Sequence, residues 1–238
     1  MTEPATIPYE PHIGDTRQYW RDIVLGVNDG LVSMVLLVAG VVGGGLSAGQ
    51  VLLTGVAGAI AGAVSMAAGE YLATKSQDEV LDAELALERS HIRHHRDQEL
   101  DQLRDMFTDM GIDPDDLETV VAAFNRSDDT LLNAMKSLEF GVVDSERRSP
   151  FKAMLFSGVL FLLGSLPSVV PFALTDDTGL GLLWAGALAS IGLFAVGVAK
   201  ARVTRGSALL AGAENLVIAG LGGIVAYVVG DLVGASVA

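Results

Sequence analysis

Apolar residues in this chain fall in long blocks rather than at helical or strand period, and the blocks are of membrane-crossing length. Five stand out, at residues 22–46, 51–73, 151–174, 180–199 and 208–229. Pro167 and Pro171 predict a kink or an end in the third. Gly43, Gly44, Gly45 and Ser47 predict a tight turn between the first two. Gly26 with Gly30, and Gly58 with Gly62, stand four apart, the spacing that lets helix backbones approach closely. Residues 1–18 read as an irregular arm with prolines at 4, 8 and 11. Tyr19 and Trp20, beside Arg17 and Arg21, sit where interfacial anchors belong. No cleavable leader is evident, because the first apolar run begins at Ile23 behind acids and prolines.

A polar segment separates the second and third blocks. Residues 73–106 contain neither proline nor glycine and are rich in Ala, Leu, Glu and Arg, so the second span is predicted to continue as one helix through Met106. Gly111 ends that helix. Asp113 as N-cap with Pro114 behind it starts another, and Ser127 caps a third that Gly141 closes. The expected fold is all-α, with five transmembrane helices and a three-helix insert. Its divisions are an arm over 1–21, spans one and two over 22–73, the insert over 74–150, and spans three to five over 151–238.

Charge adds orientation. The 238 residues carry a formal net charge of -14 and no cysteine, which excludes disulfides, thiolate metal sites and iron–sulfur clusters. Residues 75–150 hold 19 acidic and 9 basic side chains, so 19 − 9 leaves -10 in the insert. Such a segment suits cations and argues against nucleic acid and against docking on anionic lipid. Lys200, Arg202 and Arg205 lie between spans four and five, Arg17 and Arg21 precede span one, and the loop between spans three and four holds Asp176 and Asp177. The positive-inside rule then puts the N-terminus and insert in the cytoplasm and the C-terminus outside. The acidic, lysine-poor composition points to a prokaryotic cell membrane. No nucleophile–base pair, phosphate loop, GxSxG or HExxH occurs, so neither an enzyme nor a resident cofactor is expected.

Two groups of residues carry candidate chemistry. Asn28 and Asp29 lie inside the first span, and Asp22 stands seven residues earlier on nearly the same side. A carboxylate in a spanning helix costs about 2.5–3.5 kcal/mol on insertion scales. Stacked acids therefore suggest steps on a cation or proton path; the alternative is a buried Asp29 hydrogen-bonded to a neighbouring helix. Met66 and Glu70, four apart, could receive a divalent metal, or Met66 fills a gap while Glu70 sits at the interface. Glu214 and Asn215 form one more polar pair at membrane depth.

Beyond the second span, Glu84, Glu88, His91, His95, Glu99 and Gln102 are spaced 4, 3, 4, 4 and 3 and form one helical stripe. Carboxylate and imidazole together suit Fe(II), Mn(II), Co(II) or Zn(II). Met135 and Glu139, again four apart, could face the stripe and complete a shell. The competing reading is a solvated acidic face.

The stretches RDIVLGVNDGLVSMVLLVAGVVGG and SMAAGEYLATKSQ, followed by the acidic insert and three spans, resemble the vacuolar iron transporter family over about residues 17–234. The resemblance implies a five-span homodimer that moves Fe(II), and often Mn(II), out of the cytoplasm against protons along the interface between first spans. Carried over by position, it makes Asp22, Asp29 and Met66 pathway residues. Glu88, His91, Glu99, Gln102, Met135 and Glu139 fall at its cytoplasmic metal-binding positions. Where that family shows E-x-x-E twice, this chain has Glu88-x-x-His91 and Glu99-x-x-Gln102. The imidazole shifts the expected preference toward Co(II), Ni(II) or Zn(II). The expected function is divalent-metal export by proton antiport; the rivals are a membrane-anchored metal buffer or sensor, and a passive cation channel.

Overall fold

A computed structural model of the protein describes residues 17–141 and 148–237. The arm before residue 17 and residues 142–147 lie outside that description. Among the described residues the chain forms helices and no strands. They are α1 (Arg17–Gly43), α2 (Ala48–His94), α3 (Arg96–Asp109), α4 (Pro114–Phe124), α5 (Asp128–Leu138), α6 (Pro150–Val169), α7 (Pro171–Leu174), α8 (Thr178–Thr204) and α9 (Ala208–Val237). Five of them, α1, α2, α6, α8 and α9, are long and apolar enough to cross a membrane, matching the five blocks read from hydropathy.

The chain divides into two compact units, residues 1–71 with 151–238 and residues 72–150. In the first, α1 is the central element. Leu31, Met34 and Val38 recur at helical spacing, each nearly inaccessible, and each enters a different cluster. Leu31 packs with Ala189, Leu193 and Ala219 of α8 and α9. Met34 packs with Ala59, Ala63, Phe161 and Val169 of α2 and α6. Val38 packs with Val51, Phe172 and Ala185. Such small clusters leave most large side chains outward: Leu53, Leu183, Ile191, Leu209 and Leu221 are all more than half exposed. In water that surface would be a liability; for a membrane-spanning unit it is the lipid face.

Small residues permit the closest approaches. A side chain added at Gly30 would collide with the Phe161 carbonyl and lie 3.1 Å from the Gly164 backbone, so α1 and α6 cross where neither carries a Cβ. The turn after α1 is a Schellman closure. The Leu46 amide donates to the Val41 carbonyl (3.2 Å) and the Gly45 amide to Val42 (3.0 Å), with Gly45 left-handed at φ +80. Gln50 Oε1 then accepts both the Ser47 amide and the Ser47 hydroxyl at 3.0 Å, tying down the start of α2.

The second unit is built on one apolar cluster in which Leu85 and Ile92 of α2 meet Leu100, Leu103 and Phe107 of α3, Val121 of α4, and Leu131 and Met135 of α5. Its caps follow the sequence: Asp113 accepts from the Asp115 amide (3.0 Å) and Ser127 from Thr130 (3.1 Å), with Gly111 and Gly141 both at positive φ. The expected continuous helix through Met106 is not what forms. α2 stops at His94, and His95 adopts φ -133 and ψ 33 before α3 begins. Burial decides this. The fold-back lets Leu100, Leu103 and Phe107 join Leu85 and Ile92 in one core, which no straight helix allows.

Candidate metal centre

The break at His95 makes the site. On an unbroken helix Glu88 and Glu99 would stand about 16 Å apart along the axis. With α3 folded back, ligand atoms of Glu88, His91 and Glu99 all lie within 4.8 Å of one another. His91 Nδ1 is 3.3 Å from Glu99 Oε1 and 3.9 Å from Glu88 Oε2. The two carboxylates are buried, at 4% and 5% exposure, while the imidazole is half-buried. Glu88 Oε1 and Glu99 Oε2 are buried without a hydrogen-bond partner. Orphaned acceptors of this kind are costly, and a cation at the centre of the three ligands would satisfy them.

Electrostatics tell the same story. Burial, then repulsion from Glu99 and from Glu139, then a hydrogen bond with Glu99, together push the Glu88 carboxyl up from its ordinary 4.5 to about 7. Proton and metal would thus compete for Glu88 near neutral pH.

An open cavity of about 490 Å³ surrounds these ligands, lined by Glu84, Glu88, His91, His95, Glu99, Gln102 and Glu139, with Gln98, Leu87 and Phe140. Every stripe residue therefore reaches one cavity, though not as the straight row expected. Glu84, His95 and Glu139 are exposed at its margin and Gln102 is half-buried. His91 and His95 meet edge to face, 6.2 Å between centroids. Met135 is the exception among the insert candidates. It is fully buried within the apolar cluster and does not line the cavity, so its thioether packs the core. Gln98 was missed, since its place on the cavity depends on the fold-back. A signal for that break exists in HIRHHRDQE: bases close the last turn of α2 and acids open the first turn of α3, as the dipoles of an ending and a starting helix favour.

Three links brace the fold-back. Arg96 donates to Asn125 Oδ1 (2.8 Å) and Asp128 Oδ1 (2.6 Å), tying the start of α3 to the α4–α5 junction. Arg104 pairs with Glu118 at 2.8 Å.

In the first unit Asp22 is buried on α1, and Arg21 spans it (3.4 Å) and Glu70 of α2 (3.5 Å). Asp29, half-buried two turns on, accepts a hydrogen bond from Ser33 at 3.0 Å, while the Asn28 side-chain oxygen Oδ1 is buried without a partner. Met66 lies one turn before Glu70 and packs against the Met34–Phe161 cluster. Glu214 pairs with Lys200 of α8 at 3.8 Å, and Asn215 donates to the Leu193 carbonyl. That pair is thus engaged in joining α8 to α9.

Comparison with known proteins places the chain. A model of the VIT family matches residues 20–231, nearly all of it. The chain belongs to the VIT family. Its relatives include a protein named vacuolar iron transporter from Acanthamoeba castellanii, 32% identical over 82% of this chain and 75% of that one. Vacuolar iron transporter 1 from Tulipa gesneriana is 27% identical over 87% of this chain and 84% of its own length. The Arabidopsis thaliana protein of the same name is 27% identical over 90% and 85%. This VIT-family chain, with five spanning helices, is a multi-pass integral membrane protein.

Proposed function

We propose that this chain moves divalent metal ions, Fe(II) foremost, out of the cytoplasm in exchange for protons. The observation that carries the reading is the Glu88–His91–Glu99 centre, with its two buried, unpaired carboxylate oxygens. The relatives' names support the metal, and the arginine-rich ends of α1 and α8 support a cytoplasmic insert.

The insert collects the ion from the cytoplasm and displaces the Glu88 proton as it does so. Glu70 and Met66 receive it at the membrane face, and Asp29 holds it at depth. The chain works as a homodimer in which two α1 helices meet and each supplies an Asp29 carboxylate at the two-fold axis. Protons entering from outside neutralise the aspartates and release the metal. His91 and Gln102, standing where the resemblance expects glutamates, broaden selectivity toward Co(II), Ni(II) and Zn(II).

The test is flux of Fe(II), Mn(II), Co(II) and Zn(II) into proteoliposomes, with and without a pH gradient. Proton-driven flux is the expected result. Flux indifferent to the gradient overturns antiport in favour of a passive channel, and binding without flux reduces the protein to a buffer.

A further inference from the structure

Apolar burial drives α3 back onto α2, but the hydrophobic effect is non-directional and sets the rotation of α3 about its own axis only loosely. That rotation decides whether Glu99 faces Glu88 and His91 or turns away. The start of α3 breaks two local rules. His95 makes no side-chain cap hydrogen bond, and a cation, Arg96, takes the first helical position, where the helix dipole favours an acid. Such violations are compensated elsewhere in a fold. The guanidinium donates from Nε to Asn125 Oδ1 at 2.8 Å, from Nη2 to the Asn125 carbonyl at 3.3 Å, and from Nη1 to Asp128 Oδ1 at 2.6 Å. Asn125 is the C-cap of α4 and Asp128 opens α5, so the cation meets the negative end of one helix and an acid at the start of the next. Three bonds from one planar fork fix direction as well as distance. Glu99 stands three residues beyond Arg96, within one turn of that fork.

We propose that Arg96 is a positioning residue for the metal centre: it sets the rotation of α3 so that Glu99 completes the ligand group before any ion arrives. The ligands themselves work against that arrangement. Glu88 and Glu99 each keep a buried oxygen without a hydrogen-bond partner, and their ligand atoms lie within 4.8 Å of one another. Two such carboxylates gain by turning apart toward water, so the empty site has to be held from outside. Arg96 can do this because, among the described residues, it bonds to neither carboxylate and leaves both free for an ion. Holding them ready removes the cost of closure from the binding step. Asp128 is open to water at 59% exposure, so charge attraction contributes little there and the directional bonds to Asn125 carry the role. The inference rests on the reading of Glu88, His91 and Glu99 as metal ligands.

Titration of the full-length protein with Co(II), followed by visible absorption, tests it. The signal of the insert centre is the part that E88Q with E99Q removes. R96Q should weaken that binding about tenfold, the low end of the roughly 10–100-fold that loss of a supporting partner costs a metal site. At saturating Co(II) its spectrum should move toward that of E99Q, a change that lost stability alone does not produce. R96K keeps the charge without the fork and should recover only part of the affinity. N125A stands at φ -77 and ψ 9, a conformation alanine adopts freely, and should weaken binding less than R96Q does. Adding it to R96Q should cost nothing further, because both remove the same bonds. R104Q, which breaks the link from the same helix to Glu118, should leave the spectrum unchanged and the affinity close to wild type. Unchanged affinity and spectrum in R96Q, or an equal loss in R104Q, overturns the proposal while the metal centre stands. If E88Q with E99Q removes no Co(II) signal, the metal centre itself is wrong and the proposal falls with it.

Discussion

Glu88 concentrates the chemistry of the insert in one side chain. Its carboxyl titrates near 7 rather than 4.5 because it is buried and faces Glu99 and Glu139. The metal-free folded state therefore binds this proton more tightly than the unfolded chain. Its stabilising contribution is full below pH 4.5 and is lost as pH rises through about 7. The loss amounts to about 3 kcal/mol at most. Thermal unfolding of the full-length protein in chelator should show wild type losing more stability between pH 5 and 8 than E88Q does. Saturating metal should reverse the trend, since metal binds the deprotonated form. E88Q should also weaken metal binding by at least the roughly 10–100-fold that loss of an outer-shell partner costs, measured by calorimetry on the intact protein. At the neighbouring position, H91E should move the order of affinities toward Mn(II) and Fe(II) at the expense of Co(II) and Ni(II). An unchanged order would mean that His91 does not touch the ion.

At the scale of elements, the α2–α3 fold-back holds the ligands, so packing in the apolar core behind them should control affinity. Leu103 is fully buried in the apolar cluster and does not line the cavity. L103A should cost about 2–5 kcal/mol of the insert's stability through the cavity it leaves. Metal affinity should fall with it, because Glu99 rides on the same helix; calorimetry on the full-length variant checks this. In the first unit the α1–α6 crossing depends on paired glycines. G164L should prevent that approach, since a Cβ there meets the Val27 carbonyl and the Leu31 amide at 3.1 Å. The expected outcome is loss of monodisperse protein on size-exclusion chromatography, where a variant at the lipid-facing Leu183 should behave as wild type. The capped starts of α4 and α5, the Gly45 turn and the five spans were all legible beforehand, because each rests on a few adjacent residues. The break at His95 was hidden by strong helix propensity on both sides. Its cause is the burial of Leu100 and Leu103 against residues eight to eighteen positions earlier, which propensity does not encode.

For the whole molecule, the two units predict separable defects. E88Q with E99Q should raise the metal concentration needed for half-maximal flux while leaving the maximal rate near wild type, since capture is impaired and passage is not. D29N should remove proton-driven flux and leave binding at the insert intact. If both variants failed in the same way, the division of labour between insert and membrane path would be wrong. Initial-rate measurements over a range of metal concentrations in proteoliposomes distinguish these outcomes.

Sequence alone determined what depends on one dimension: apolar runs long enough to cross a bilayer, charges too costly to sit there idly, caps and turns, and a spacing that would gather Glu84 to Gln102 on one face of an unbroken helix. It also carried enough resemblance to indicate the family. Tertiary structure decided what depends on residues meeting across the fold. It turned a row of ligands into a cluster by bending at His95, because only the bend buries Leu100 and Leu103. It took Met135 out of the site, because its helix turns that face to the core. It set Arg21 between Asp22 and Glu70, because α1 and α2 pack closely enough there for one guanidinium to reach both.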